Sequence, residues 1–247
     1  MDNLSQGLQS FQIPGSNFGF TGLQIGDPNM SMEQTLYTLA VDESGSTVPF
    51  RSEMELAIQE VVKSLSNSPR ADQLMYRHLQ FATNIREVHG FKPLKDCNVG
   101  DYKNVFGSAG STHLYDVIIE QAKATEIYSN NLAKEKYLAN AINVVITDGC
   151  DYDSIHGVND AKNAVQKLIT GESLESVINI LIGVNIQDPY VAQKLDDLHK
   201  EIGFDQFIEI KDASQKSLAR LANFLSNSVS SQSQALGTGG ASQSLTF

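Results

Sequence analysis

The sequence predicts a doubly wound α/β domain: a mostly parallel sheet with one antiparallel edge strand and helices on both faces. Three observations predict it. Apolar runs that read as buried strands alternate with amphipathic helical segments from residue 33 to residue 225, and alternation at that length builds a parallel sheet covered on both sides. Two of the runs end alike, in an aspartate followed by a turn: Asp42 before Glu43-Ser44-Gly45-Ser46, and Asp148 before Gly149. One pair of strands is joined by a short turn instead of a helix, which places a hairpin in the sheet.

The elements follow in order. Residues 36–42 form a first strand, and 51–65 a helix with Met54, Ile58, Val61, Val62 and Leu65 on one face and Pro49 just before it. Residues 76–83 and 87–94 are the hairpin strands, turning near Asn84 and Ile85. A Gly- and Ser-rich loop, 107–112, leads into a helix from His113 to about Ile127, with Leu114, Val117, Ile118 and Ala122 as its stripe. Residues 128–136 read as polar and exposed. The run INVVIT, 142–147, is a buried strand ending at Asp148. Helix 158–169, strand 177–184, helix 190–202, strand 207–210 and helix 215–225 complete the domain.

Two flanking segments look different. Residues 1–32 carry two charges, Asp2 and Asp27, and have no clear period. They read as an irregular arm packed on the domain or as a segment that orders on a partner. Residues 226–247 carry no charge and are rich in Ser, Gln and Gly, the composition of a flexible tail. Its apolar end, Leu245-Thr246-Phe247, is a candidate docking motif.

Composition narrows the partners. A formal charge of −11 over 247 residues opposes sequence-independent nucleic-acid binding and attachment to an anionic membrane, since both rest on basic side chains. No apolar run approaches the ~20 residues of a membrane span, and no secretory or mitochondrial leader is recognisable. Cys97 and Cys150 stand far apart and read as reduced thiols, so a cytoplasmic location is expected.

Where strand order reverses in such a sheet, ligands sit outside the carboxyl ends of the strands. If strands 36–42 and 142–147 are neighbours there, Asp42 and Asp148 face one crevice, and the 107–112 loop delivers the Thr112 hydroxyl to it. The expected cluster is Asp42, Ser44, Ser46, Thr112 and Asp148: two carboxylates and three hydroxyls, a donor set for a hard ion such as Mg²⁺, with Mn²⁺ or Ca²⁺ as alternatives.

These residues resemble a von Willebrand factor type A (vWA) domain with its metal-ion-dependent adhesion site (MIDAS), on a Rossmann-like sheet. The match is D-x-S-x-S at Asp42-Glu43-Ser44-Gly45-Ser46, then the threonine of Gly110-Ser111-Thr112-His113-Leu114-Tyr115-Asp116, then the aspartate of Ile146-Thr147-Asp148-Gly149. Any one of these is weak; three in order at the ends of the right elements are specific. The strand pair in LQFATNIREVHGFKPL is also similar to that family, and the resemblance spans about residues 33–225. It implies an ion whose coordination an acidic side chain of a partner protein completes. It implies, too, a role as adaptor or assembly subunit, with an AAA+ ATPase among the partners seen for intracellular relatives. No catalysis is implied.

Other residues stand near the expected site. Glu43, Asp151, Asp153 and His113 are candidates for its surroundings or rim, and His156 follows the acidic turn. Competing readings of the same stretches are poorer. The 107–112 loop lacks the lysine of a phosphate-binding loop, and 148–162 lacks the glycine and glutamate of a calcium loop. A metal-dependent hydrolase using Glu43 or Asp151 as base, and a scaffold with an unloaded site, are the remaining alternatives.

Overall fold

A computed structural model describes residues 7–14, 16, 18–27, 30–107, 109–238 and 247. Among the described residues, eight strands form one sheet: β1 (Leu8–Gln12), β2 (Gly19–Leu23), β3 (Glu33–Asp42), β4 (Leu74–Phe81), β5 (Ile85–Pro93), β6 (Leu138–Thr147), β7 (Val177–Val184) and β8 (Gln206–Ile210). Their spatial order is β1-β2-β5-β4-β3-β6-β7-β8. Strands β4, β3, β6, β7 and β8 run parallel, while β5 is antiparallel to β4. Five helices cover the sheet: α1 (Arg51–Ser66), α2 (Leu114–Lys134), α3 (Val158–Ile169), α4 (Pro189–Ile202) and α5 (Gln215–Thr238). None of the described helices is long and apolar enough to cross a membrane.

The central strands alternate between two cores, as a pleat requires. Leu39, Val41, Val144 and Ile146 face α1 and α5, packing on Met54, Ile58, Leu221 and Leu225. Ala40 and Val145 face the opposite way, onto α2, α3 and α4 through Ile118, Val165 and Leu195. Because both faces are buried, these strands read as continuous apolar runs. The chain leaves β3 to build β4 and β5 on one side, then returns through α2 to place β6 on the other side of β3. Strand order therefore reverses between β3 and β6.

The segments flagged as irregular or flexible are largely built into the fold. Within residues 1–32, β1 and β2 pair antiparallel, and β2 joins β5 in parallel with Gly22 opposite Phe91. The antiparallel strand β5 is thus followed outward by an antiparallel pair, β1 and β2, at the edge of the sheet. A buried cation fixes this hairpin: Arg77, fully buried, bonds Glu120 at 2.6 Å and Glu87 at 2.7 Å. The faces of Phe20 and Phe91 lie 5.4 and 5.7 Å from its guanidinium. Glu87 also accepts the Thr21 N–H at 2.8 Å and its hydroxyl at 2.7 Å. Arg77, Glu87, Phe91 and Glu120, on which Phe20 and Thr21 depend, all lie outside the arm, which is why its own pattern does not reveal the strands.

Residues 128–134 are the last turns of α2, exposed as expected at Asn130, Ala133 and Lys134 but buried on the inward side. Tyr128 and Leu132 are buried, Tyr128 stacks on Phe91 at 4.7 Å, and its hydroxyl donates to the Leu23 carbonyl at 3.0 Å. Residues 226–238, read as the start of a flexible tail, continue α5. Ser226, Ser228, Val229, Gln232 and Ser233 are buried, Arg70 Nε donates to the Ser233 hydroxyl at 3.0 Å, and Asn140 to the Gln232 carbonyl at 2.8 Å. Small uncharged side chains here mark a tightly covered helix face. Leu245 and Thr246 lie outside the described residues, whereas Phe247 packs edge-on against Phe224 at 5.5 Å.

Two measurements test this packing. A Cβ at Gly90 would stand 1.8 Å from the Thr21 carbonyl oxygen, so Gly90→Ala should displace the hairpin and destabilise the protein by more than about 2 kcal/mol. Faster proteolysis within residues 8–23 than in the native chain is the expected readout. His78 and His89 face each other across β4 and β5, and burial pushes both imidazoles down, His89 to about 3 and His78 well below the ordinary 6.5. The unfolded chain takes up protons below 6.5 where the folded one does not. Stability present above that pH should therefore fall on acidification, by up to about 1.4 kcal/mol per pH unit for each group. Urea unfolding between neutral pH and mild acid measures it, and His78→Gln should flatten the slope.

Candidate metal centre

Strands β3 and β6 are paired in register up to Val41 opposite Ile146, so the chain leaves the sheet side by side after Asp42 and after Thr147. Asp42 is fully buried. One carboxylate oxygen accepts the Ser44 N–H at 2.7 Å and the other accepts the Thr147 hydroxyl at 2.7 Å. The chain then tightens into a 3₁₀ turn, Gly45–Phe50, with the Thr47 hydroxyl bonded to the Ser44 carbonyl at 2.8 Å. This turn brings the buried Ser44 and the exposed Ser46 together: Ser44 Oγ and Ser46 Oγ are 3.1 Å apart, and Ser46 Oγ donates to Asp148 at 2.8 Å. Asp42, Ser44, Ser46 and Asp148 thus form one connected set.

Thr112 enters from the third loop. Gly45 N–H donates to the Gly110 carbonyl at 3.2 Å, which ties the 107–112 loop to the serine turn. Thr112 also bridges Tyr152, whose N–H donates to the Thr112 carbonyl at 2.8 Å, so the segment after Asp148 is fastened to it. All three loops that carry the expected ligands therefore meet at the carboxyl edge of the sheet.

The surrounding candidates separate into different roles. Glu43 turns its carboxylate to Arg86 at 3.0 Å and to the Gly107 N–H at 2.6 Å, so it holds the loops together. Asp151 accepts the Tyr115 N–H at 3.0 Å at the start of α2, together with the Ser154 hydroxyl. Asp153 is an exposed turn residue with φ 74°. His113 lies 3.4 Å from Asp116, which also accepts from His156 Nδ1 at 2.7 Å and the Ile155 N–H at 2.8 Å. Burial pushes the Asp116 carboxyl up, but the Ile155 N–H and the His156 contacts outweigh it and hold it below its usual range. The 150–156 segment is thereby pinned to α2 by reciprocal carboxylates, Asp151 on one element and Asp116 on the other.

Two arginines that motif reading passed over brace the site. Arg51 donates to the carbonyls of Glu43 and, at 3.0 Å, of Gly107. Arg86 reaches Glu43, Gln80 and the Val105 carbonyl. A signal for Arg51 was present: a cation in the first turn of a helix opposes the helix dipole, so its placement there needs another purpose.

The electrostatics favour a cation. Burial pushes Asp42 up to about 6, against the opposing bonds from Ser44 and Thr147, and the nearby Asp148 charge adds to the rise. Burial also raises Asp148, with Ser46 opposing. Both carboxylates meet hydroxyls and N–H groups, and neither is in an ion pair with Lys, Arg or His among the described residues. A hard divalent ion would supply the missing charge, and oxygen donors are the kind such an ion takes.

No family model matches the chain, and no curated protein matches it. Solved structures do. The PilB minor pilin from Streptococcus sanguinis is 12% identical, with a TM-score of 0.57 over 87% of this chain and 65% of its own. The pilus adhesin SpaC from Lactobacillus rhamnosus GG is 10% identical, with a TM-score of 0.56 over 86% of this chain and 32% of its own. Proximal thread matrix protein 1 from the mussel byssus, with a zinc-occupied MIDAS motif, is 16% identical, with a TM-score of 0.54 over 80% of this chain and 45% of its own. At such identities the likeness establishes the fold. The chain spans less than two thirds of each of these proteins.

The buried Asp42 carboxylate should weaken the fold at neutral pH, because its folded value of about 6 lies above the ordinary 3.8. The folded state binds the extra proton between those values, so this penalty grows as pH rises through that window. Asp42→Asn can keep both bonds, since Thr147 can turn its hydroxyl proton to the Gly149 carbonyl 3.0 Å away. Without divalent ions, Asp42→Asn should be more stable than the native chain by on the order of 2 kcal/mol. Added Mg²⁺ should raise the melting temperature of the native chain and leave that of the variant unchanged. Calorimetry on both proteins reads the two effects together.

Proposed function

We propose that the protein is a vWA-like, metal-dependent protein-interaction module. Asp42, Ser44, Ser46, Thr112 and Asp148 would hold the ion, and an acidic side chain of a partner would complete its coordination. The observation that carries this reading is the buried Asp42 carboxylate and the half-buried Asp148 carboxylate, linked through hydroxyls at the switch point of the sheet without a compensating cation among the described residues. An ion so held supplies Lewis acidity toward an oxygen ligand; the chain's own residues orient the donors and fix the loops. Mg²⁺ is the ion proposed, on the oxygen-only donor set.

A protein partner is supported by the rim. Val48, Tyr152, Ile155 and Tyr190, on the loops and helix start at this edge, are 52–80% exposed. Large apolar side chains standing out around one site are the anchors of protein contacts. Glu43 and Asp151, the residues a hydrolytic mechanism would use as bases, are engaged in bonds that hold the loops, which favours binding over hydrolysis. An adaptor or assembly subunit, with an AAA+ ATPase as one class of partner, is the corresponding cellular role. Unpaired Cys97 and Cys150 accord with a cytoplasmic setting.

Affinity capture with the immobilised chain in Mg²⁺, in EDTA, and with Asp42→Ala in Mg²⁺ tests the reading. Partners should be retained in the first condition and lost in the other two. Titration calorimetry with Mn²⁺ should show one site, weakened about tenfold or more by Ser46→Ala. Equal retention in EDTA, or unchanged Mn²⁺ affinity in Asp42→Ala, would sink the proposal.

A further inference from the structure

Glu43, the residue between the first two ligand candidates, is only 4% exposed. Its carboxylate accepts the Gly107 N–H at 2.6 Å and pairs with Arg86 at 3.0 Å. Arg86 is seated in turn on Gln80 and on the Val105 carbonyl at 2.6 Å. A buried acid at this position thus ties the serine turn to the loop that carries Thr112, through a charge-assisted bond.

That loop has little freedom elsewhere. Arg51 bridges the carbonyls of Glu43 and Gly107, and the Gly45 N–H donates to the Gly110 carbonyl at 3.2 Å. From the β4–β5 turn, the Thr83 hydroxyl accepts the Ser111 N–H at 2.9 Å and the Ala82 carbonyl accepts the His113 N–H at 3.1 Å. A Cβ at Gly110 would stand 2.4 Å from Thr83 Oγ1, and one at Gly107 3.2 Å from both Glu43 carboxylate oxygens. Both glycines therefore mark close approaches. Thr112 sits between two fixed residues, and the contacts at Glu43, Gly45 and Arg51 set its distance from Ser44 and Ser46.

We propose that Glu43, braced by Arg86, is a positioning residue that fixes the spacing of Thr112 from the serine turn and makes the site select Mg²⁺ over Ca²⁺. The inference rests on the metal-binding part of the proposed function. Mg²⁺ takes six oxygens at about 2.0–2.1 Å, whereas Ca²⁺ takes six to eight at about 2.3–2.6 Å in looser geometry. Admitting Ca²⁺ would require donors on all three loops to retreat by a few tenths of an ångström. Loops cross-tied at these points part only by breaking the ties. Glu43 itself touches no ion in this scheme; it acts through Gly107 and the loop.

The test titrates Mg²⁺ and Ca²⁺ separately into the isotopically labelled chain and follows the amide resonances of Gly45, Thr112 and Gly149. In the native chain Mg²⁺ should bind at least about tenfold more tightly than Ca²⁺. Glu43→Gln keeps an oxygen for the Gly107 N–H but gives up the charge that pairs with Arg86. It should cut the Mg²⁺-to-Ca²⁺ preference about tenfold, by weakening Mg²⁺ and not Ca²⁺. Without ions, amide exchange at Gly107 should quicken in this variant while that of β3 and β6 stays unchanged. The Glu43→Gln, Arg86→Gln double variant should lose no more preference than the single one, because the two side chains act as a unit. A substitution that merely loosened the fold would weaken both ions alike and leave their ratio where it was. That outcome, or a native chain that binds both ions equally, overturns the inference and leaves the module reading standing. A native chain that binds neither ion overturns the module reading, and the inference with it.

Discussion

The parallel pairing of β3 with β6 is the constraint on which the rest of the molecule depends. It sets Val41 opposite Ile146, so Asp42 and Asp148 emerge together from the only place where strand order reverses among the described strands. The pairing is held by apolar side chains on both faces, and it ends in polar residues that cannot follow them into the core. Asp42 is nevertheless buried, its oxygens committed to Ser44 and Thr147. A negative charge in that position is costly without a cation, and the fold carries the cost where a ligand can relieve it.

Around this point the loops are interlocked instead of merely adjacent. Arg51 and Arg86 draw together the carbonyls and carboxylate of the 43–46 and 105–107 stretches. Asp116 and Asp151 exchange bonds between α2 and the 150–156 segment. Each brace uses a charged group against backbone N–H or C=O, so it fixes position as well as contact. Preorganisation of this kind is what a site needs if its donors are neutral hydroxyls that bind weakly one at a time.

The central architecture was legible because its signals are local. Apolar runs of 36–42 and 142–147 with polar ends, and helical stripes such as Met54-Ile58-Val61-Leu65, carry their periods in their own residues. The five ligand candidates were read as polar residues after strand ends and before α2, and the three loops that bear them converge. The N-terminal hairpin was not, because Phe20 and Thr21 are fixed by Arg77, Glu87 and Phe91, far away in the chain. The end of α2 was misread from polar letters between Tyr128 and Leu132, although those two residues lie on the inward face of the same helix. The second half of α5 was hidden by composition: serine, glutamine and alanine describe a solvated tail and a closely covered helix face equally well. Arg51 and Arg86 act through backbone carbonyls and remote carboxylates, which no motif encodes.

The buried Arg77 has a consequence for the sheet as a whole. Without β1 and β2, strand β5 would offer its outer row of N–H and C=O groups to solvent, a template on which another chain can add a strand. The hairpin occupies that row, and it is anchored by a desolvated guanidinium whose removal would leave Glu120 and Glu87 uncompensated in the interior. The border exposed in its place, β1, is five residues long, too short to template much. The cation at the centre of the aromatic cluster therefore keeps the side of the sheet remote from β8 closed to strand addition.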